Sequence, residues 1–231
     1  MNRLIDWTAI DTVLLDMDGT LLDLNFDNYF WLEYLPQRYA EEFGIDPEQA
    51  KRDINAKTRA LEGTLEWYST SYWTEALGID VVALKHEVRH RVKEMPHCHE
   101  FLDQLKAAGK DIVMVTNAHH DSLNLKMDKT GLAHKFDRLI TVHEFSLPKE
   151  RVECWDEVQK IHPFDRQRSL LIDDNLNVLK SAERYGIAQL LAIYQPDSRA
   201  PRKDVEHFKA IQDFSDILPV LPSRPSLDNP S

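Results

Sequence analysis

Two aspartates, Asp16 and Asp18, stand either side of Met17 directly after the apolar run Val13-Leu14-Leu15, with Gly19 and Thr20 following. On a strand, residues two apart point to the same side, and a glycine after them lets the chain turn where a side chain would clash. Two carboxylates held that close repel unless a cation or a proton lies between them. In open α/β sheets the carboxyl edge of the strands is also where ligands bind. The pattern therefore suits cation-assisted chemistry on an anionic substrate. Its plain alternative is a solvated or calcium-binding acidic turn.

Three further apolar runs end in polar groups. Ile112-Val113-Met114-Val115 leads into Thr116-Asn117, a hydroxyl and a turn amide suited to phosphate oxygens. Leu170-Leu171-Ile172 leads into Asp173-Asp174-Asn175. Leu147-Pro148-Lys149 opens a predicted helix, where the dipole slightly disfavours a lysine, so its presence is informative. Each signal alone is weak. Val-Thr-Asn ends many strands as a turn former, and a lysine in a chain with 28 Lys and Arg defaults to the surface.

The elements that would carry these residues follow from periodicity. Helices are predicted over 27–43, 47–61, 64–77 and 80–93, with Asp46-Pro47 a cap followed by proline at the first helical position. Tyr29, Phe30, Trp31, Tyr34, Trp67, Tyr68, Tyr72 and Trp73 crowd this block and read mainly as its core, one or two being available to stack on a ligand. From Pro96 onward helices (96–108, 121–130, 149–161, 176–185) alternate with strands (111–116, 138–142, 169–173, 187–193). That alternation predicts an α/β fold with a parallel sheet, right-handed crossovers and helices on both faces. The all-helical block is an insertion after the first strand and would overhang the carboxyl edge.

The stretch D-x-D-G-T-L after an apolar strand resembles motif I of the haloacid dehalogenase (HAD) superfamily of phosphatases, and the later strand ends resemble its other three motifs in order. The resemblance covers roughly residues 8–22 and 95–218. It implies a Rossmann-like core (1–22 and 95–231) with a helical cap (23–94) that sets specificity. It also implies a magnesium site from Asp16, the Asp18 backbone carbonyl and Asp174, with Asp173 an additional ligand or the acceptor that positions water or Lys149. Asp16 would be the nucleophile and Asp18 the general acid and base, while Thr116, Asn117 and Lys149 hold the phosphoryl group. The superfamily's commonest form has proline after the motif III lysine, where this chain has Glu150.

A longer resemblance, L-L-D-L-N-F-D-N-Y-F-W over 21–31 with P-K-E at 148–150, I-D-D at 172–174 and P-D-S at 196–198, is to bacterial nucleotidases of the superfamily acting on GMP and IMP. The implied activity is a magnesium-dependent purine 5'-nucleotidase. The alternatives are a phosphatase of sugar phosphates or phosphoglycolate, a phosphomutase, and a non-catalytic metal-stabilised binding module. Asn25 and Asn28 lie near where a base-reading donor is needed.

Composition narrows the partners. A net charge of −11 and the lack of a basic stripe argue against nucleic acid, and the partner that the resemblance implies is a small phosphomonoester. No run approaches a membrane span, no signal peptide is evident, and two distant cysteines, Cys98 and Cys154, form no framework, so a cytoplasmic protein is expected. His97-Cys98-His99 and His119-His120 lack a completing cluster for zinc; His119 or His120, just after the Thr116-Asn117 turn, could touch substrate, and the default reading of each is an exposed loop histidine. The segment from Pro219 onward is expected to be frayed.

Overall fold

The computed structural model describes residues 4–224. Its centre is β1 (Thr12–Leu15), buried along its whole length because both faces of the sheet are covered. Parallel neighbours flank it on either side: β2 (Asp111–Thr116) and then β3 (Arg138–Thr141) in one direction, β4 (Ser169–Ile172), β5 (Gln189–Ile193) and β6 (Lys209–Ile211) in the other. The strand order reverses at β1, so the crevice beyond its carboxyl end is the topological switch point of the sheet.

Alternation along the strands divides the core between the two faces. Val13 and Leu15 pack with Ile112, Met114, Leu170 and Ile172 under α7 (Cys98–Ala107) and α8 (His120–Thr130), which bring Phe101, Leu102, Leu105, Leu123 and Met127. Leu14, Val113, Val115 and Leu171 face the other way, under α9 (Val152–Ile161) and α10 (Leu176–Tyr185), which bring Trp155, Val158, Val178 and Leu179.

Between β1 and α7 come α1 (Asn25–Tyr29), α2 (Leu35–Phe43), α3 (Pro47–Ala60), α4 (Leu65–Tyr68), α5 (Thr70–Leu77) and α6 (Val81–Glu87). The chain enters and leaves this helical block along neighbouring segments, Asp23 N donating to Lys93 O at 2.9 Å and Met95 N to Leu21 O at 2.8 Å. On the core side, Leu24 N donates to Pro196 O, and the Asn25 and Asn28 amides donate to the Asp197 carboxylate at 3.2 and 2.7 Å.

Several predicted elements differ in detail. The first predicted helix begins at Asn25 and contains a π-helical turn, Phe30–Tyr34, closed where Pro36 has no N–H to give to Leu32. The 64–77 helix is two, broken at an extended Ser69 whose hydroxyl accepts from Tyr72 N. Beyond Glu87, the 80–93 helix gives way to a 3-10 turn, Arg89–Arg91. Strand β6 was not foreseen, since three residues, Lys-Ala-Ile, carry too little pattern. The expected fraying from Pro219 is corrected for residues 219–224. Val220 is buried and its backbone N–H donates to Gln104 Oε1, and the Ser223 hydroxyl donates to Ile10 O, while residues 225–231 lie outside the described residues. Among the described residues no helix is long and apolar enough to cross a membrane.

Candidate active site

At the carboxyl end of β1, Asp16 N continues the ladder to Ile172 O, which places the Asp16 side chain at the switch point. Gly19 then turns with φ +83°, and a Cβ there would stand 2.7 Å from Asp174 Cγ. Glycine is required twice over, by the backbone angle and by the close approach of the Asp174 carboxylate. Thr20 completes the junction, its hydroxyl accepting from Asp174 N at 3.1 Å.

Asp16, Asp173 and Asp174 converge, each offering an oxygen within 4.8 Å of the others. Lys149 lies buried among them, its Nζ donating to Asp16 at 2.5 Å, Asp173 at 2.7 Å and the Val115 carbonyl at 3.0 Å. Lys203 reaches Asp174 at 3.2 Å. Burial pushes the Asp16, Asp173 and Asp174 carboxyls up to about 6, the neighbouring lysines only partly offsetting it. Burial alone would lower the Lys149 pKa, but Asp16 and Asp173 outweigh it and hold the ammonium protonated.

This donor set fits magnesium. Its atoms are all hard oxygens, and the carboxylates are buried together with less positive charge than they need to ionise freely, which a divalent cation supplies. The Asp18 carboxylate is not part of the cluster. It turns toward α8 and pairs with Lys126 at 2.6 Å, and burial likewise lifts it to about 6.

Thr116 and Asn117 are buried at the end of β2. The Asn117 side chain fixes the lysine from both ends of its amide: Oδ1 accepts from Lys149 N at 2.9 Å and Nδ2 donates to Glu150 at 3.0 Å. Glu150 also accepts from Tyr68 of α4 at 2.8 Å and from Asn175 at 3.1 Å. These bonds hold residues 149–150 in a turn, and α9 starts only at Val152. The expectation that Lys149 stands in a first helical turn is therefore corrected, and no dipole penalty applies.

Above the cluster opens a cavity of about 850 Å³, walled by the strand ends and by the helical block, including Trp31, Asn55, Arg59, Trp67 and Tyr68. Its size falls in the range of ~300–1,000 Å³ typical of small-molecule sites. Asn25 and Asn28, expected only to lie near where a base-reading donor is needed, give their amides to Asp197. Trp73 is buried and donates its indole N–H to Trp67 O, which leaves Trp31 and Trp67 as the partly exposed indoles of the wall.

Residues 10–186 match the model of the haloacid dehalogenase-like hydrolases. The chain belongs to that family. It is 37% identical over 221 residues to the GMP/IMP nucleotidase of Escherichia coli (strain K12), the match covering 96% of this chain and all of that one. It is also 25% identical to a pyrophosphatase of Bacillus velezensis across 81% of this chain and 90% of the relative. A HAD phosphatase from Thermococcus onnurineus has the same fold, with a TM-score of 0.73 at 18% identity over 87% of this chain and 93% of that one. The chain is an enzyme, a HAD hydrolase with an acidic site suited to magnesium.

Sequence reasoning missed Lys126, Lys203 and the Glu150 hub of this hydrolase. The signal for Lys126 is its place between Leu125 and Met127 in a helix where both neighbours are buried. His119 is not the exposed loop residue expected. It caps α8, and its ring lies 2.9 Å from the Thr70 hydroxyl of α5. His143 donates from Nε2 to Asn117 O at 3.2 Å, and its pKa is pushed down to about 4, chiefly by burial.

Proposed function

We propose that this enzyme hydrolyses purine 5'-monophosphates, GMP and IMP in preference to other phosphomonoesters, through an aspartyl-phosphate on Asp16. The observation that carries the reading is the convergence of Asp16, Asp173 and Asp174 on buried Lys149 beneath an indole-walled cavity. Identity to the E. coli GMP/IMP nucleotidase over 96% of the chain, helical block included, supports the substrate. In this reading residues 23–94 are a cap over a core made of 1–22 and 95–231.

A carboxylate approaching a phosphate meets repulsion of about 4 kcal/mol per unit charge pair at 4 Å for an effective dielectric of 20. Asp16, the Asp18 carbonyl and Asp174 would hold magnesium, with Asp173 beside them, and the bound ion would supply neutralising charge. Lys149 adds a fixed ammonium, and Thr116 and Asn117 orient the phosphoryl oxygens. An Asp16 oxygen bonds to phosphorus as the ester P–O bond breaks, its electron pair leaving with the nucleoside oxygen, which takes a proton from Asp18. Water then gives a proton to Asp18 and attacks phosphorus, releasing phosphate and the Asp16 carboxylate.

Stacking on Trp31 or Trp67 would contribute ~1–3 kcal/mol for any purine. Preference for a 6-oxo group needs a donor, and Asn55 and Arg59 stand in the cavity wall with no side-chain partner among the described residues. The test is kcat/KM for GMP, IMP, AMP, UMP, a hexose phosphate and pyrophosphate at one magnesium concentration. GMP and IMP should lead. A hexose phosphate or pyrophosphate matching GMP overturns the substrate and leaves the phosphatase chemistry standing.

A further inference from the structure

Beside the acidic cluster, two ammonium and two carboxylate groups form a chain from α8 into the helical block. Lys126 Nζ donates to Asp18 at 2.6 Å and to Asp27 of α1 at 2.7 Å, and Lys85 Nζ of α6 donates to the other oxygen of Asp27 at 3.0 Å. Lys126 is 1% exposed and Lys85 4%. Their surroundings are apolar: Lys126 Nζ lies 5.4 Å from the Phe26 ring centroid, and Lys85 Nζ 5.1 Å from that of Phe30 and 5.7 Å from that of Trp31.

Charges so deeply buried are tolerated only when paired and hydrogen-bonded, and this chain balances two against two. Stability alone does not account for its placement. One end of it is Asp18, whose carboxylate pairs with Lys126 and is not one of the converging set of Asp16, Asp173 and Asp174. We infer that Lys126 is a positioning residue for Asp18, and that Asp27 and Lys85 hold Lys126 in place, so that the helical block helps to set the geometry of proton transfer in the core.

The inference rests on the acid and base role proposed for Asp18. A proton carrier must keep hydrogen-bond reach of the leaving oxygen and then of water, and a misplacement near 1 Å costs about a hundredfold. Lys126 would fix the Asp18 side chain on the leaving-group side, away from the cluster that takes the metal. Asp27, given two ammonium partners, stays charged: burial opposes this, but Lys126 and Lys85 outweigh it and hold its pKa at about 2.

The test is a double-mutant cycle on the whole enzyme with GMP and magnesium, joining Lys126→Met to Asp18→Asn, with rapid-quench measurement of phosphoenzyme. Lys126→Met should lower kcat by about 10- to 100-fold with KM within about threefold of wild type, and phosphoenzyme should accumulate. The double variant should be no slower than Asp18→Asn alone. Multiplying losses, or a raised KM with kcat intact, would show that Lys126 acts on the substrate independently of Asp18 and would overturn the inference. A wild-type Lys126→Met beside a slow Asp18→Asn overturns it alone. A fully active Asp18→Asn overturns the acid and base reading first.

Should Lys126→Met fail to fold, near-isosteric Asp27→Asn carries the test. It should lower kcat about 3- to 10-fold at unchanged KM, and a wild-type kcat there overturns the inference.

Discussion

Burial raises Asp16, Asp173 and Asp174 to about 6, so each is a better proton acceptor than a solvated carboxylate, and a metal must compete with those protons. Magnesium affinity should therefore be nearly constant above about pH 7 and weaken as pH falls through about 6. Calorimetric titration at fixed ionic strength from pH 5 to 8 checks this, and an affinity independent of pH contradicts it. Asp16→Asn should lose more than about a thousandfold in kcat while circular dichroism stays that of wild type. Residual activity near wild type would remove Asp16 as nucleophile. These aspartates were legible because an apolar run that stops in acid is a local pattern. Lys126 and Lys85 were not, since a lysine on a helix looks the same whether it meets water or a carboxylate brought from 58 to 108 residues away.

Among the elements, the turn after β1 tolerates least. Gly19→Ala places a Cβ 2.7 Å from Asp174 Cγ at φ +83°, so it should destabilise the fold by about 1–3 kcal/mol and weaken magnesium binding, read by urea unfolding and by the metal titration. A variant equal to wild type in both would show that the β1 turn and Asp174 do not need to approach.

The turn holding His143 gives a pH signature of opposite sign to the aspartates. Its folded pKa of about 4 lies below the ordinary histidine value of 6.5, so between these the unfolded chain binds a proton that the folded chain lacks. That contribution falls as pH drops from about 6.5 toward 4. The raised aspartates gain over the pH range between their usual 3.8 and about 6, because there the folded chain holds the extra protons. Replacing His143 by Gln should therefore improve stability at pH 5 relative to pH 7, measured by urea unfolding. The same relative loss in variant and wild type would mean that His143 titrates normally. Helices and strands here were readable from periodicity, whereas the break at Ser69 and the turn at 149–150 depend on caps and distant partners.

For the whole molecule, the order of strands and helices after Pro96 was enough to foresee a parallel sheet, and the insertion after β1 was visible as a change of period. What sequence could not show is how the block meets the core: Tyr68 on Glu150, Thr70 on His119, and Asp27 on Lys126 are contacts between residues far apart in the chain. The wall of the cavity depends on them. With base stacking worth ~1–3 kcal/mol, Trp31→Ala should raise KM for GMP by about 5- to 150-fold and change KM for a small phosphomonoester little. Equal effects on both would place Trp31 outside the base subsite.

Covalent capture on Asp16 is the centre of the proposed mechanism. The direct measurement is rapid acid quench of enzyme mixed with magnesium and phosphate-labelled GMP, followed by proteolysis and identification of the labelled peptide. Label should appear within the first turnover as an acyl phosphate cleaved by hydroxylamine, on the peptide containing Asp16, and should persist longer in Asp18→Asn. Turnover without any labelled peptide, in the wild type and in Asp18→Asn alike, would contradict it and point to direct attack by water.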